Sequence, residues 1–251
     1  MLDRVDKIQT WPSDVRRRPQ PEEGPLSILF EDESVIVLDK PAGTVVHPTY
    51  KNTSGTLLNA LLWRYRDREG VQPGILTRLD KDTSGIVVVA LTPALHATMQ
   101  REMSAGRVTK EYLAVVCGVP EPPAGRITLR LGRSSVDRRI VVVRDDGAAC
   151  ETRYEVVGSG LQAPGSGLGA SGSGVQAVVR CELLTGRTHQ IRVHLAARGW
   201  PIVGDRVYGE ESALIARQAL HAWRVTFPHP VTRESMTITS PIPADIAALL
   251  S

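Results

Sequence analysis

The chain has 251 residues, 42% hydrophobic and 23% charged, a balance that suits a soluble globular fold able to bury a sizeable core. No apolar run approaches the roughly 20 residues needed to cross a bilayer, and the polar start MLDRVDKIQTWPSDVRRRP has no apolar stretch of a secretory signal, so a cytoplasmic protein is expected. A net charge of +3 is too small to argue for nucleic acid by itself, although arginine supplies most of the positive charge and suits phosphate and base recognition.

Residues 1–25 hold Pro12, Pro19, Pro21 and Pro25 with the basic run Arg16, Arg17 and Arg18, and read as a flexible arm, either a solvated tail or a contact for phosphates. From Leu26 the pattern becomes regular. SILFEDESVIVLDKPAG reads as two short strands around an acidic turn, stopped by Pro41 and Gly43. TLLNALLWRYR carries apolar residues at helical spacing behind the cap Thr56. GIVVVAL is a β-branched run that reads as a buried strand. Thr92 and Pro93 open a second helix, which Gly106 closes. KEYLAVVCG and VQAVVRCELLTG read as strands, and THQIRVHLAARG as a short helix opened by Thr188 and closed by Gly199.

Between them, GSGLQAPGSGLGASGSG (158–174) has no residues from which to build a core and reads as a flexible insertion joining two strands. The elements do not alternate as βαβ units. The expected fold class is therefore α+β, a mixed, largely antiparallel central sheet flanked by helices, with one domain over 26–251. Cys117, Cys150 and Cys181 lie far apart in a chain without an export signal and read as reduced thiols, with Cys117 and Cys181 buried in apolar runs.

Two stretches carry candidate chemistry. In GILTRLDKDTSGIVVVA, a loop from Arg78 to Gly85 runs straight into the buried strand, a place where a rigid sheet can hold a reactive group. Asp80 has Arg78 nearby to keep it ionised, or else bonds local amides as a turn residue. In LLTGRTHQIRVHLAARGWPIVGDRVYG, His189 and Arg192 share a helix face, with Gln190 and His194 on an adjacent one. The two histidines are five apart, not at the i, i+4 spacing of a helix-borne zinc site, so no metal is expected.

RLDKDTSG at 78–85, GRTHQIRVH at 186–194 and PIVGDRVYG at 201–209 resemble the RluA-type pseudouridine synthases. VIVLDKPAGTVVHP at 35–48 and KEYLAVVCG at 110–118 agree with the same family, and the five segments appear in its order. The resemblance implies an enzyme that isomerises uridine to pseudouridine in rRNA or tRNA without cofactor or metal. It implies Asp80 as the catalytic aspartate, Tyr112 as the tyrosine that packs on the target base, and Arg192 as the arginine that pairs with the aspartate. Arg78, Arg187, His189, Gln190 and Arg206 are expected RNA contacts, while Lys40 and His47 read as architectural.

Two departures stand out: Thr77 replaces the histidine that relatives usually carry before RLD, and the first 25 residues are too short for the small RNA-binding domain of many relatives. A monomer without membrane attachment is expected. Two other classes compete: a non-catalytic RNA-binding protein on the same scaffold, and a hydrolase using Asp80 with a histidine, which the absence of a GxSxG elbow disfavours.

Overall fold

A computed structural model describes residues 19–49, 52–162 and 174–250. In chain order, β1 (Ile28–Glu31) and β2 (Val35–Lys40) form the expected antiparallel pair, followed by α1 (Leu57–Arg64), β3 (Gly74–Ile75), β4 (Ser84–Ala90) and α2 (Pro93–Ser104). Next come β5 (Thr109–Cys117), β6 (Ala124–Ile127), β7 (Arg130–Arg133), β8 (Val141–Val143), β9 (Ala148–Ala149) and β10 (Thr152–Gln162). The chain ends with β11 (Val175–Leu183), α3 (Gln190–Ala197), β12 (Leu220–Pro228), β13 (Ser235–Thr239) and the single turn α4 (Ala244–Ala247).

A 10-stranded sheet has the order β1-β2-β4-β12-β5-β11-β10-β6, with β13 on β12 and β3 on β4. Among the described residues only β4 and β12 pair in parallel, and the other ladders of this sheet are antiparallel. The fold is thus α+β with a mixed, largely antiparallel sheet, as the residue pattern implied. Side-chain alternation splits the core. Val35, Val37, Ile86 and Val88 face one cluster with α2 and α3, while Ile36, Leu38, Val87 and Val89 face a second beneath α1. All seven residues of β4 are buried, which explains its unbroken β-branched run. Thr56 caps α1 in a capping box with Asn59, and Thr92 caps α2 with Pro93 in its first turn.

A separate 3-stranded sheet, in the order β8-β7-β9, packs Leu131 and Val141 against Val193 of α3. No helical or alternating signal announced this small sheet.

Several local expectations need correction. Residues 1–18 lie outside the described residues, but the end of the expected arm is docked: the Asn59 side-chain amide donates to the Gln20 carbonyl at 2.6 Å, and the Glu22 amide to the Asn59 carbonyl at 3.1 Å. The Gly/Ser-rich segment begins later than expected, because β10 runs to Gln162 in register with Val175 of β11; residues 163–173 lie outside the described residues. Thr188 does not open α3: the helix starts at Gln190, and His189 occupies its N-cap with φ 55, in the left-handed region. Cys117 is exposed at the end of β5, whereas Cys150 and Cys181 are buried.

Candidate active site

The Asp80 loop is fastened from below. Lys40 is fully buried at the end of β2, and its ammonium donates to the carbonyls of Pro41, Thr44 and Lys81 at 2.8, 2.9 and 2.9 Å, using all three donors. Burial pulls this ammonium down to about 8, against the pull of the nearby Asp82 and Asp80 carboxylates. The Thr83 amide donates to the Asp80 carbonyl, and the Arg217 guanidinium to that of Asp82. Gly85 then enters β4 at φ +108, where a Cβ would lie 2.2 Å from the Ala222 carbonyl oxygen of β12. Only glycine allows that parallel pairing, so the end of the Asp80 loop is pinned to two strands.

Opposite this loop, α3 delivers Arg192. Its Nη1 donates to Asp80 Oδ2 at 2.9 Å, while Nε and Nη2 donate to Asp205 Oδ2 and Oδ1 at 2.7 and 2.8 Å. Burial opposes the charge on Arg192, but the Asp205 and Asp80 carboxylates outweigh it and raise the guanidinium above its ordinary value. Burial alone would raise the Asp205 carboxyl as well. The bonds from Arg192 and from the amides of Val207 and Tyr208 reverse this and hold it below the carboxylate range. The left-handed backbone of His189 turns its ring to the same place: Nε2 lies 3.8 Å from Asp80 Oδ2, and Nδ1 lies 2.7 Å from the Tyr208 hydroxyl. Burial lowers this imidazole despite the Asp80 charge, so it is neutral at pH 7. The Tyr208 hydroxyl in turn accepts from the Val141 amide at 2.9 Å, tying the small sheet to the site.

These groups border a cleft lined by Arg78, Asp80, Thr83, Tyr112, Arg187, His189, Gln190 and Arg192, with Leu79, Leu183, Ile191 and Leu220 as its apolar wall. Asp80, Tyr112 and Arg192 therefore share one pocket. Tyr112 rises from β5, almost buried, and burial together with the Asp80 charge pushes its phenol above the ordinary value, keeping it protonated.

The other expected contacts divide. Arg78 and Arg187 are exposed on the rim, with no carboxylate within 4 Å among the described residues; Arg78 therefore does not hold Asp80, as its nearness in sequence suggested. Gln190 is 2% exposed, its oxygen accepts from Thr185 Oγ1 and the Arg187 amide, and its nitrogen donates to the Glu151 carbonyl and Thr152 Oγ1. That spends its hydrogen-bonding capacity on the protein, so Gln190 braces the loop and has none left for RNA. Arg206 lies outside the cleft lining, 3.4 Å from Glu211. Thr77 is buried and accepts from the Val88 amide at 2.9 Å, away from the cleft lining. Among the described residues no cluster of three or more His, Cys, Asp or Glu could hold a metal ion, and no helix is long and apolar enough to cross a membrane.

The sequence model of a family described as RNA pseudouridylate synthase matches residues 34–197, which include the Asp80 loop, Tyr112 and Arg192. The chain belongs to this family. Curated relatives agree. A protein of Xanthomonas campestris named ribosomal large subunit pseudouridine synthase D is 40% identical over 246 residues, spanning 92% of this chain and 70% of the relative. One of the same name from Nitrosomonas europaea is 40% identical over 241 residues, spanning 92% of this chain but only 66% of the relative. Among solved structures, human RNA pseudouridylate synthase domain containing 1 superposes with a TM-score of 0.66 at 28% identity, covering 88% of this chain and 86% of that one.

As a pseudouridine synthase the protein is an isomerase that acts on uridine in RNA. Two members of the cleft network escaped the residue-by-residue reading, Asp205 and Tyr208. Both lie in PIVGDRVYG, a stretch that carried the family resemblance without assigning either a role. Their partners come from α3 and β8, so only the folded chain reveals the contacts.

Proposed function

We propose that this synthase converts uridine to pseudouridine in ribosomal RNA, with Asp80 as the catalytic carboxylate. The observation that carries the assignment is the single bond from Arg192 Nη1 to Asp80 Oδ2, beside a pocket that also contains Tyr112. The guanidinium favours the ionised carboxylate, and Asp80 Oδ1 accepts no hydrogen bond among the described residues, so one oxygen is available to the extruded nucleotide. During isomerisation the N1–C1′ bond breaks and a C5–C1′ bond forms; C5 gives up a proton and N1 gains one, so the atoms balance without redox change. A negative oxygen beside C1′ suits either covalent capture or stabilisation of a cationic sugar.

Tyr112 presents its ring as the face against which the uracil packs, a contact worth about 1–3 kcal/mol per base. A uridine inside structured RNA must leave its stack to reach this depth. Arg78 and Arg187 are assigned to phosphate contacts at the rim, and neutral His189 to the nucleotide edge next to Asp80. Gln190 and Arg206 are withdrawn from the RNA-contacting set. Ribosomal RNA is chosen over transfer RNA because both relatives carry large-subunit names.

The test is Asp80→Asn, assayed for pseudouridine formation on ribosomal RNA from cells lacking the gene. Turnover should vanish while RNA affinity stays within about twofold, because the amide keeps the size and loses the charge. Normal turnover by this variant would remove Asp80 from the catalytic role.

A further inference from the structure

Arg192 serves two carboxylates unequally. Asp205 takes the two-nitrogen edge formed by Nε and Nη2, and Asp80 receives Nη1 alone, through one oxygen. The favoured partner is the one that RNA cannot reach: the Asp205 side chain is 1% exposed, against 24% for Asp80. Asp205 is also fixed independently of Arg192. Its Oδ1 accepts the amides of Val207 and Tyr208 at 3.0 and 3.2 Å. Gly204 before it sits at φ +73, where a Cβ would lie 2.4 Å from the Arg217 carbonyl oxygen. The turn is therefore set by the backbone, and the guanidinium docks onto it.

A guanidinium that met Asp80 alone would present its best geometry, two parallel N–H bonds, to both oxygens of the reacting carboxylate. Such a grip keeps Asp80 ionised but engages the oxygen needed for reaction. We propose that Asp205 is a positioning residue that occupies the two-nitrogen edge of Arg192, so that the guanidinium holds Asp80 by one oxygen and leaves the other free to react. This rests on Asp80 being the catalytic carboxylate. The network then carries one net negative charge, located at the cleft on Asp80.

The other charged or titratable groups around Asp80 are His189 before α3, Arg187 in the loop leading to it, Tyr112 on β5, Tyr208, Lys40 below the loop, and Arg78, Lys81 and Asp82 on its own strand-edge loop. None of them bonds to the Arg192 edge that Asp205 fills.

The experiment compares wild type, Asp205→Asn and Asp205→Glu in steady-state kinetics on the ribosomal RNA substrate across the acid limb of the pH profile. With Asn, one carboxylate charge is lost and the guanidinium charge falls wholly to Asp80. KM should stay within about twofold, kcat should fall at least about tenfold, and the acid limb of kcat should move down by about one pH unit. Glu restores the charge and should return the limb to the wild-type position while recovering part of kcat. A merely structural Asp205 predicts the reverse: Arg192 swings away and the acid limb moves up. That upward shift, or an unchanged kcat in Asp205→Asn, overturns the proposal. Should Asp205→Asn fail to fold, Asp205→Glu decides: a limb at the wild-type pH supports the assignment, and a displaced one overturns it. Asp80→Asn separates the two levels. If that variant turns over, the catalytic assignment itself has failed; if it is inert while Asp205→Asn is normal, only the role of Asp205 is lost.

Discussion

The arginines of this synthase fall into two populations. Away from the cleft they are matched with carboxylates: Arg64 with Glu31, Arg107 and Arg233 with Glu102, and Arg224 with Glu111. Around the cleft, Arg78 and Arg187 have no carboxylate within 4 Å among the described residues, nor has Arg133 at the end of β7, which is near enough for its charge to depress His189; Arg130 and Arg138, in β7 and the turn after it, are unmatched as well. Arg101 in the last turn of α2 and Arg198 at the C-cap of α3 are also unmatched, but they sit at helix carbonyl ends that favour a cation. A modest net charge thus hides a local asymmetry. Charge neutralised by neighbours on one side is left available to phosphates on the other. Arg192 belongs to neither surface population: it is buried and doubly matched, and it acts on Asp80.

The contrast can be broken first at Arg192. Arg192→Ala leaves Asp205 buried and unpaired, which should cost about 3–5 kcal/mol of stability as well as turnover, read by denaturant unfolding. Arg64→Ala, on the far surface, should cost no more than about 1 kcal/mol. Equal losses would erase the distinction between the two kinds of site.

The helix that delivers Arg192 also carries a group sensitive to acid. His194, on α3 behind the site, is fully buried with Nδ1 2.9 Å from Thr152 Oγ1, and burial lowers its imidazole to about 4. Its folded value lies below the unfolded one of about 6.5. The unfolded chain therefore binds the extra proton first, and stability falls as pH drops from about 6.5 to about 4, by on the order of 3 kcal/mol from this residue. His194→Gln should flatten that part of a melting-temperature profile; a profile as steep as that of wild type would deny His194 the role.

The smallest and sharpest test concerns the rim. Arg78→Ala and Arg187→Ala should each weaken RNA binding across sequences and reduce the salt slope by about 0.7 for each phosphate left without its cation, as for single strands. Arg64→Ala should leave the slope unchanged. A slope indifferent to all three substitutions would mean that the unmatched rim arginines do not meet phosphate.

The main lines of this fold were legible because local signals and burial agreed. The β-branched run of β4 is buried throughout, Thr56 and Thr92 cap the helices they precede, and the acidic turn between β1 and β2 lies where the residues suggested. Elsewhere local reading misled. Cys117 sits in an apolar run yet is exposed, as the last residue of β5 after five buried ones. Thr188 has the chemistry of a cap, but His189 takes that position in a left-handed conformation uncommon outside glycine, with its ring bonded to Tyr208.

The order of residues by itself determined the fold class and the family, and it singled out Asp80, Tyr112 and Arg192, each in a recognisable motif, which the fold brings to one pocket. Tertiary structure alone decided how Arg192 is divided between Asp80 and Asp205, that Gln190 is spent on the protein, and which arginines remain unmatched. The physical reason is one of range. Propensity and patterning act over a few neighbouring residues, whereas hydrogen-bond partners 112 positions apart, as Asp80 and Arg192 are, meet only when a ten-stranded sheet brings its loops together.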